Sequence, residues 1–96
     1  MPRMPLLSDH EIAQGLAALP EWSRVGQAIT RTFTFAGFPE AVAFVQRLVA
    51  PAEALQHHPD VDVRYSRVIV TLTTHDSGGV TANDLTLAGL IDGLVG

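Results

Sequence analysis

The stretch "VDVRYSRVIVTLTTH", Val61 to His75, decides the fold. Val61, Val63 and Tyr65 recur at every second position, and Val68, Val70 and Leu72 do so again. Period-two runs rich in β-branched residues are the pattern of half-buried strands. The spacing predicts two strands with a tight reversal near Tyr65 to Arg67, one longer bent strand being the alternative. A reversal that short forces antiparallel pairing, because parallel neighbours need a long crossover.

Upstream, "AITRTFTF" (Ala28 to Phe35) alternates in the same way. Ile29, Arg31, Phe33 and Phe35 fall on one face, and Thr30, Thr32 and Thr34 on the other. A short strand around Trp22 to Val25 precedes it, with Gly26 and Gln27 as the turn. Further back, "SDHEIAQGLAALP" carries Ser8 as an N-cap and Glu11 three residues on, the capping-box spacing. Ile12, Leu16 and Leu19 then recur at helical intervals until Pro20.

Between the two hairpins, Gly37 to Pro39 opens a second helix whose apolar stripe is Ala41, Val45, Leu48, Ala52 and Leu55. Pro51 lies inside that stripe and predicts a kink or a break, since its ring clashes with the carbonyl four residues back. Downstream, "DSGG" reads as a loop. "TAND" repeats the capping-box spacing with Thr81 and Asp84, and Leu87, Leu90, Ile91 and Leu94 form the stripe of a last helix. The order is α-β-β-α-β-β-α. It predicts one α+β domain over residues 1–96, two-layered, with a four-stranded antiparallel sheet and three helices on one face.

Composition narrows the function classes. Hydrophobic residues make up 47% of the 96 residues, more apolar surface than so short a chain readily buries. The excess predicts subunit interfaces, hence a homo-oligomer. Ten acids stand against six bases, a net charge of −4. All six bases are arginines scattered from Arg3 to Arg67, so no basic stripe exists to follow a phosphate backbone and nucleic-acid binding is not expected. Cysteine is absent, which removes disulfides and thiolate chemistry. No continuous apolar N-terminal segment predicts secretion. No apolar stretch reaches the roughly 20 residues that span a bilayer, and the expectation is a soluble, cytoplasmic protein.

Three of the four histidines, His57, His58 and His75, fall within "EALQHHPDVDVRYSRVIVTLTTHDSGGVTANDL", Glu53 to Leu85. Taken singly, each could be structural, since histidine near a helix C-terminus interacts well with the dipole. Taken together they lie at element ends, where side chains converge on a cleft at a sheet edge. A zinc site would need three convergent ligands. Adjacent side chains diverge, however, and no HxH, HxxxH or HExxH spacing is present, so no metal or other cofactor is expected. Proton transfer suits histidine near neutral pH. Without lysine, cysteine or a G-x-S-x-G elbow there is no activated nucleophile, and the pattern points to addition, elimination or tautomerisation by acid–base catalysis.

Glu53, the run His57-His58-Pro59, Tyr65, the strand "VIVTLTTH" ending at His75, "GGVT", and Asp84 before an apolar helix resemble the pterin-4a-carbinolamine dehydratases. The resemblance continues upstream through "LPEW" (Leu19 to Trp22) and "ITRTFTFAGFPEAVAFVQRL", and covers nearly the whole chain. It implies dehydration of 4a-hydroxytetrahydropterin, the carbinolamine left by an aromatic amino acid hydroxylase, to the quinonoid dihydropterin. By resemblance, His57 and His75 are the proton-transferring pair and His58 orients the substrate. Glu53 orients a histidine or contacts the pterin, Asp84 lies near the site, and Trp22 walls the pocket. Backbone around Gln56 and from Thr73 through Thr74 to Asp76 bonds the pterin edge. Tyr65 reads as packing.

The sequence departs from the family pattern at Val61, where many members carry tryptophan, and at Asn83, where some carry arginine. Pro51 interrupts the helix leading to Glu53. The same family implies a competing role, since its fold also serves as a dimerisation cofactor for a homeodomain transcription factor and, in degenerate relatives, in the assembly of other proteins. A dehydratase or isomerase acting on another heterocycle is the third reading.

Overall fold

A computed structural model describes residues 4–95. Its sheet has four antiparallel strands in the order β1-β2-β4-β3: β1 (Ser23–Val25), β2 (Ala28–Thr34), β3 (Asp60–Arg64) and β4 (Arg67–Leu72). Two-residue turns close both hairpins. Arg64 pairs with Arg67 around Tyr65 and Ser66, so the Val61–His75 stretch is a hairpin and not one bent strand. Gly26 takes a φ of 59° in the other turn, a left-handed value glycine adopts without steric cost. Tyr65 takes 53° in the β3–β4 turn and is 72% exposed, so it does not pack as the sequence suggested; the turn projects it away from the core.

The central β2–β4 pair sets Ile29 opposite Leu72, Arg31 opposite Val70 and Phe33 opposite Val68. Ile29, Phe33, Val68, Val70 and Leu72 are buried on the helix-covered face. Their alternates, Thr32, Thr34 and Arg67, are exposed on the other. Arg31 shares the core face without leaving a charge stranded. Its guanidinium lies over the Phe33 ring at 4.2 Å and donates to Asp92 Oδ1 at 2.6 Å.

α1 (Asp9–Ala17) starts at a complete capping box, in which Ser8 N–H donates to Glu11 Oε1 at 2.8 Å and Glu11 N–H to Ser8 Oγ at 3.1 Å. The Ser8 amide, then its hydroxyl, hold the Glu11 carboxyl below the usual carboxylate range. The expected second helix is two, α2 (Phe38–Arg47) and α3 (Val49–Leu55), which meet at Leu48. Pro51 accounts for the break, which falls upstream of it: the residue four positions back is Arg47, whose carbonyl the proline can neither bond nor approach. Between helices and sheet, Ala41, Leu48 and Ala52 are buried as expected, together with Phe44, whose ring is 4.6 Å from Phe33 and 5.0 Å from Phe35.

α4 (Ala82–Asp92) buries Asp84, Leu87, Ala88 and Ile91. Leu90, expected in that stripe, is 46% exposed, and the smaller Ala88 faces the core in its place. At its C-terminal end α4 is tied to the sheet by Asp92, which accepts from both Trp22 Nε1 (2.8 Å) and Arg31. Its N-terminal end carries Asp84 to the far side of the core, where β4 and α3 also end. No helix among the described residues is long and apolar enough to cross a membrane.

Candidate active site

The end of α3 places the first two histidines. His57 N–H bonds the Ala52 carbonyl (3.0 Å) and Gln56 N–H bonds that of Glu53 (3.2 Å), the paired bonds of a Schellman motif. That motif needs a left-handed residue before His57, and Gln56 supplies it with φ 52° and ψ 42°. The chain leaves the helix so sharply that His57 and His58 point to different partners. His57 turns inward and is buried, with Nε2 2.5 Å from Asp84 Oδ1. His58 stays exposed and pairs through Nε2 with Glu53 Oε2.

The end of β4 places the third. Beyond Leu72, Thr74 and Gly79 form an isolated antiparallel bridge, with Thr74 N–H donating to the Gly79 carbonyl at 2.9 Å. The four residues between them make a tight loop, a short 3₁₀ turn (His75–Ser77) ending at Gly78, whose φ is 80°. His75 stands on the loop with its side chain 74% exposed and its Nε2 3.7 Å from Asp60 Oδ2. Thr73, at the strand end, donates its hydroxyl to the Gln27 carbonyl at 2.6 Å and ties this wall to the β1–β2 turn.

Behind the cleft, Asp84 is fully buried and its carboxylate makes every bond as an acceptor. Its Oδ2 takes Thr81 N–H (2.8 Å) and the Thr74 hydroxyl (2.9 Å); its Oδ1 faces His57. An ionised carboxylate only accepts, so His57 Nε2–H is the donor in this bond, and in the neutral ring Nδ1 is the bare nitrogen. Nδ1 has no partner among the described residues, while no buried side-chain nitrogen or oxygen is left unpaired, so Nδ1 opens to the cleft. A buried carboxylate that fixes the tautomer of a histidine is the arrangement that orients general bases in many hydrolases.

The cleft itself measures about 230 Å³ and is lined by Gln56, His57, His58, Thr73, Thr74, His75 and Asp76. All seven were singled out from the sequence. Three others stand apart from the lining. Asp84 acts from behind His57. Glu53 flanks His58 on the side of an apolar groove of about 190 Å³ that Val61 also lines. Trp22 lies in the core, edge-on to Phe33, with its indole on Asp92. Thr81 was read as an N-cap alone, yet its hydroxyl lies 2.7 Å from that of Thr74. The Thr81–Asp84 spacing was the available signal; the contact with Thr74 was not visible without the strand-end bridge. Among the described residues no three His, Asp or Glu side chains are grouped so as to hold a metal ion.

Comparison with known proteins gives a concordant picture. Residues 5–94 match the family described as pterin 4 alpha carbinolamine dehydratase. A protein of Chloroflexus aurantiacus named "Putative pterin-4-alpha-carbinolamine dehydratase" is 53% identical over 93 residues, covering 97% of this chain and all of its own. One of the same name from Nocardia farcinica is 48% identical, covering 93% of this chain and 94% of its own. Among solved structures, a transcriptional coactivator/pterin dehydratase from Brucella melitensis superposes with a TM-score of 0.88 at 39% identity, over 94% of this chain and 98% of that one. A pterin dehydratase-like RuBisCO assembly factor of the alpha-carboxysome shares the fold, with a TM-score of 0.62 at 22% identity over 78% of this chain and 87% of its own.

Proposed function

Because the chain belongs to the pterin 4 alpha carbinolamine dehydratase family, we propose that its cleft converts 4a-hydroxytetrahydropterin to quinonoid dihydropterin and water. The observation that carries the proposal is the His57–Asp84 pair at the back of a cleft that His58 and His75 also line. The elimination needs a proton on the departing 4a-hydroxyl and the loss of one from N5, so that the C4a–O bond breaks as the C4a=N5 bond forms. His57, with Nδ1 bare and Nε2–H held by Asp84, is suited to take the N5 proton, and the buried carboxylate then stabilises the imidazolium. His75, on the exposed loop, is suited to protonate the leaving hydroxyl. His58, braced by Glu53, is suited to orient the ring, and the polar edge of the pterin fits the strand-end residues Thr73 to Asp76. A pterin-dependent hydroxylation would supply the substrate.

Binding tests this reading independently of turnover. Titration with a stable dihydropterin is expected to shift NMR resonances at Gln56 to His58 and Thr73 to Asp76 and to leave those around Arg31 and Val95 unmoved. A pterin that shifts nothing in the cleft at millimolar concentration would contradict it.

The reading includes a homodimer or homotetramer. Phe38, Val42 and Val49 on α2 and α3, and Val61, Val63 and Tyr65 at the β3 edge, are exposed apolar side chains, a combination that favours burial against another chain. Light scattering is expected to give at least twice the monomer mass; a monomer at micromolar concentration would oppose this part. The same surface favours a second reading, a non-catalytic dimerisation or assembly cofactor; one solved relative is described as a RuBisCO assembly factor, while the name of the other joins transcriptional coactivator to pterin dehydratase. The fully anchored His57 favours catalysis, because a scaffold gains nothing from a bare imidazole nitrogen facing a cleft.

A further inference from the structure

We infer that Thr81 is a positioning residue for this proton transfer, acting on His57 through Thr74 and Asp84. The inference rests on the dehydratase reading for its kinetic consequence, but its structural content stands separately. Thr81 and Asp84 are both fully buried, and Thr74 is 9% exposed. The four groups form one continuous chain of contacts, from Thr81 Oγ1 to Thr74 Oγ1 (2.7 Å), Thr74 Oγ1 to Asp84 Oδ2 (2.9 Å) and Asp84 Oδ1 to His57 Nε2 (2.5 Å).

The direction of the chain follows from counting protons. A hydroxyl has one to donate. Thr74 gives its proton to Asp84, which as a carboxylate can only accept. The Thr81–Thr74 contact therefore has Thr81 as its donor. A hydroxyl that accepts one bond donates a stronger one, so the Thr81 hydroxyl reinforces the grip of Thr74 on Oδ2. With Thr81 N–H on the same oxygen, Oδ2 is held from two sides and the carboxylate plane is fixed. Fixing that plane aims Oδ1 at His57 and keeps the imidazole proton on Nε2. Removing the Thr81 hydroxyl leaves an acceptor position on Thr74 empty in a buried site. A valine methyl in its place would also crowd Thr74 Oγ1 at a contact now spanned by a hydrogen bond.

A merely structural Thr81, starting α4, would affect melting temperature alone. The experiment therefore reads the tautomer. Nitrogen-15 NMR of the full chain reports which ring nitrogen of His57 carries the proton, in the wild type, Thr81→Val and Thr81→Ser. The expected result is Nε2–H with bare Nδ1 in the wild type, a mixture of tautomers in T81V and the wild-type pattern in T81S. In the dehydration assay kcat of T81V should fall about 10-fold, the effect of losing about one net hydrogen bond of transition-state stabilisation, with KM little changed and most of the loss recovered in T81S. A wild-type His57 protonated on Nδ1 would overturn the proposal even if T81V failed to fold. So would a folded T81V with the wild-type tautomer and kcat. If the wild type proved inactive while T81V still mixed the tautomers, the positioning role would stand and the dehydratase reading would fall.

Discussion

Replacing His57 by alanine is expected to lower the dehydration rate about 100- to 10,000-fold, the range that one positioned acid–base group supplies. The spontaneous reaction sets the floor. The same substitution withdraws a donor from the fully buried Asp84, which costs about 1–3 kcal/mol of stability. His75→Ala separates the two effects. Its side chain is 74% exposed on a loop closed by backbone bonds, so the variant should lose activity on the same scale and keep the wild-type melting temperature. Steady-state rates and thermal melts on the two variants check both statements. A His57→Ala protein that stays folded and turns over at the wild-type rate would remove His57 from the chemistry.

Asp84→Asn is expected to cost nearly as much activity by a different route. Three donors converge on two oxygens at this site, two on Oδ2 and one on Oδ1. An asparagine has one oxygen and one NH₂. Its oxygen is best placed toward the two donors, Thr74 and Thr81, which turns the NH₂ toward His57. His57 Nε2 must then accept, and the ring proton moves to Nδ1, the nitrogen that faces the cleft. The side chain keeps its volume and its contacts while the base presents a proton where it should present a lone pair. We expect kcat to fall about 100- to 10,000-fold, with pterin binding largely retained and a stability loss of about 1–3 kcal/mol from exchanging charge-assisted for neutral bonds. Retention of the wild-type kcat in a folded D84N would show that the carboxylate does not set the tautomer.

What was legible in the sequence follows the physics of each signal. The two hairpins were readable because period-two runs flank Gly26-Gln27 and the reversal at Tyr65, whereas the β2–β4 pairing that joins them carries no local signal. The Ser8–Glu11 box was readable because a cap is a local device. The break was legible because a proline acts on the turn before it, and it falls at Leu48, upstream of Pro51. The sequence left open which histidine Glu53 meets, and it pairs with His58. The reason is Gln56, whose left-handed conformation reorients the chain between them, and glutamine carries no signal for that conformation as glycine or asparagine would. Tyr65 misled in the same way. Trp22 could not be located because its partner Asp92 lies 70 positions away. The histidine constellation itself was legible from element ends, while the Thr81–Thr74–Asp84 chain behind it depends on a strand-end bridge that no local pattern announces.

The most direct measurement is the rate at which the wild-type protein forms quinonoid dihydropterin from chemically generated 4a-hydroxytetrahydropterin, with the spontaneous rate subtracted. The account predicts a rate proportional to protein concentration that continues over many turnovers. A rate indistinguishable from the spontaneous one, at protein concentrations matching the substrate, would contradict it.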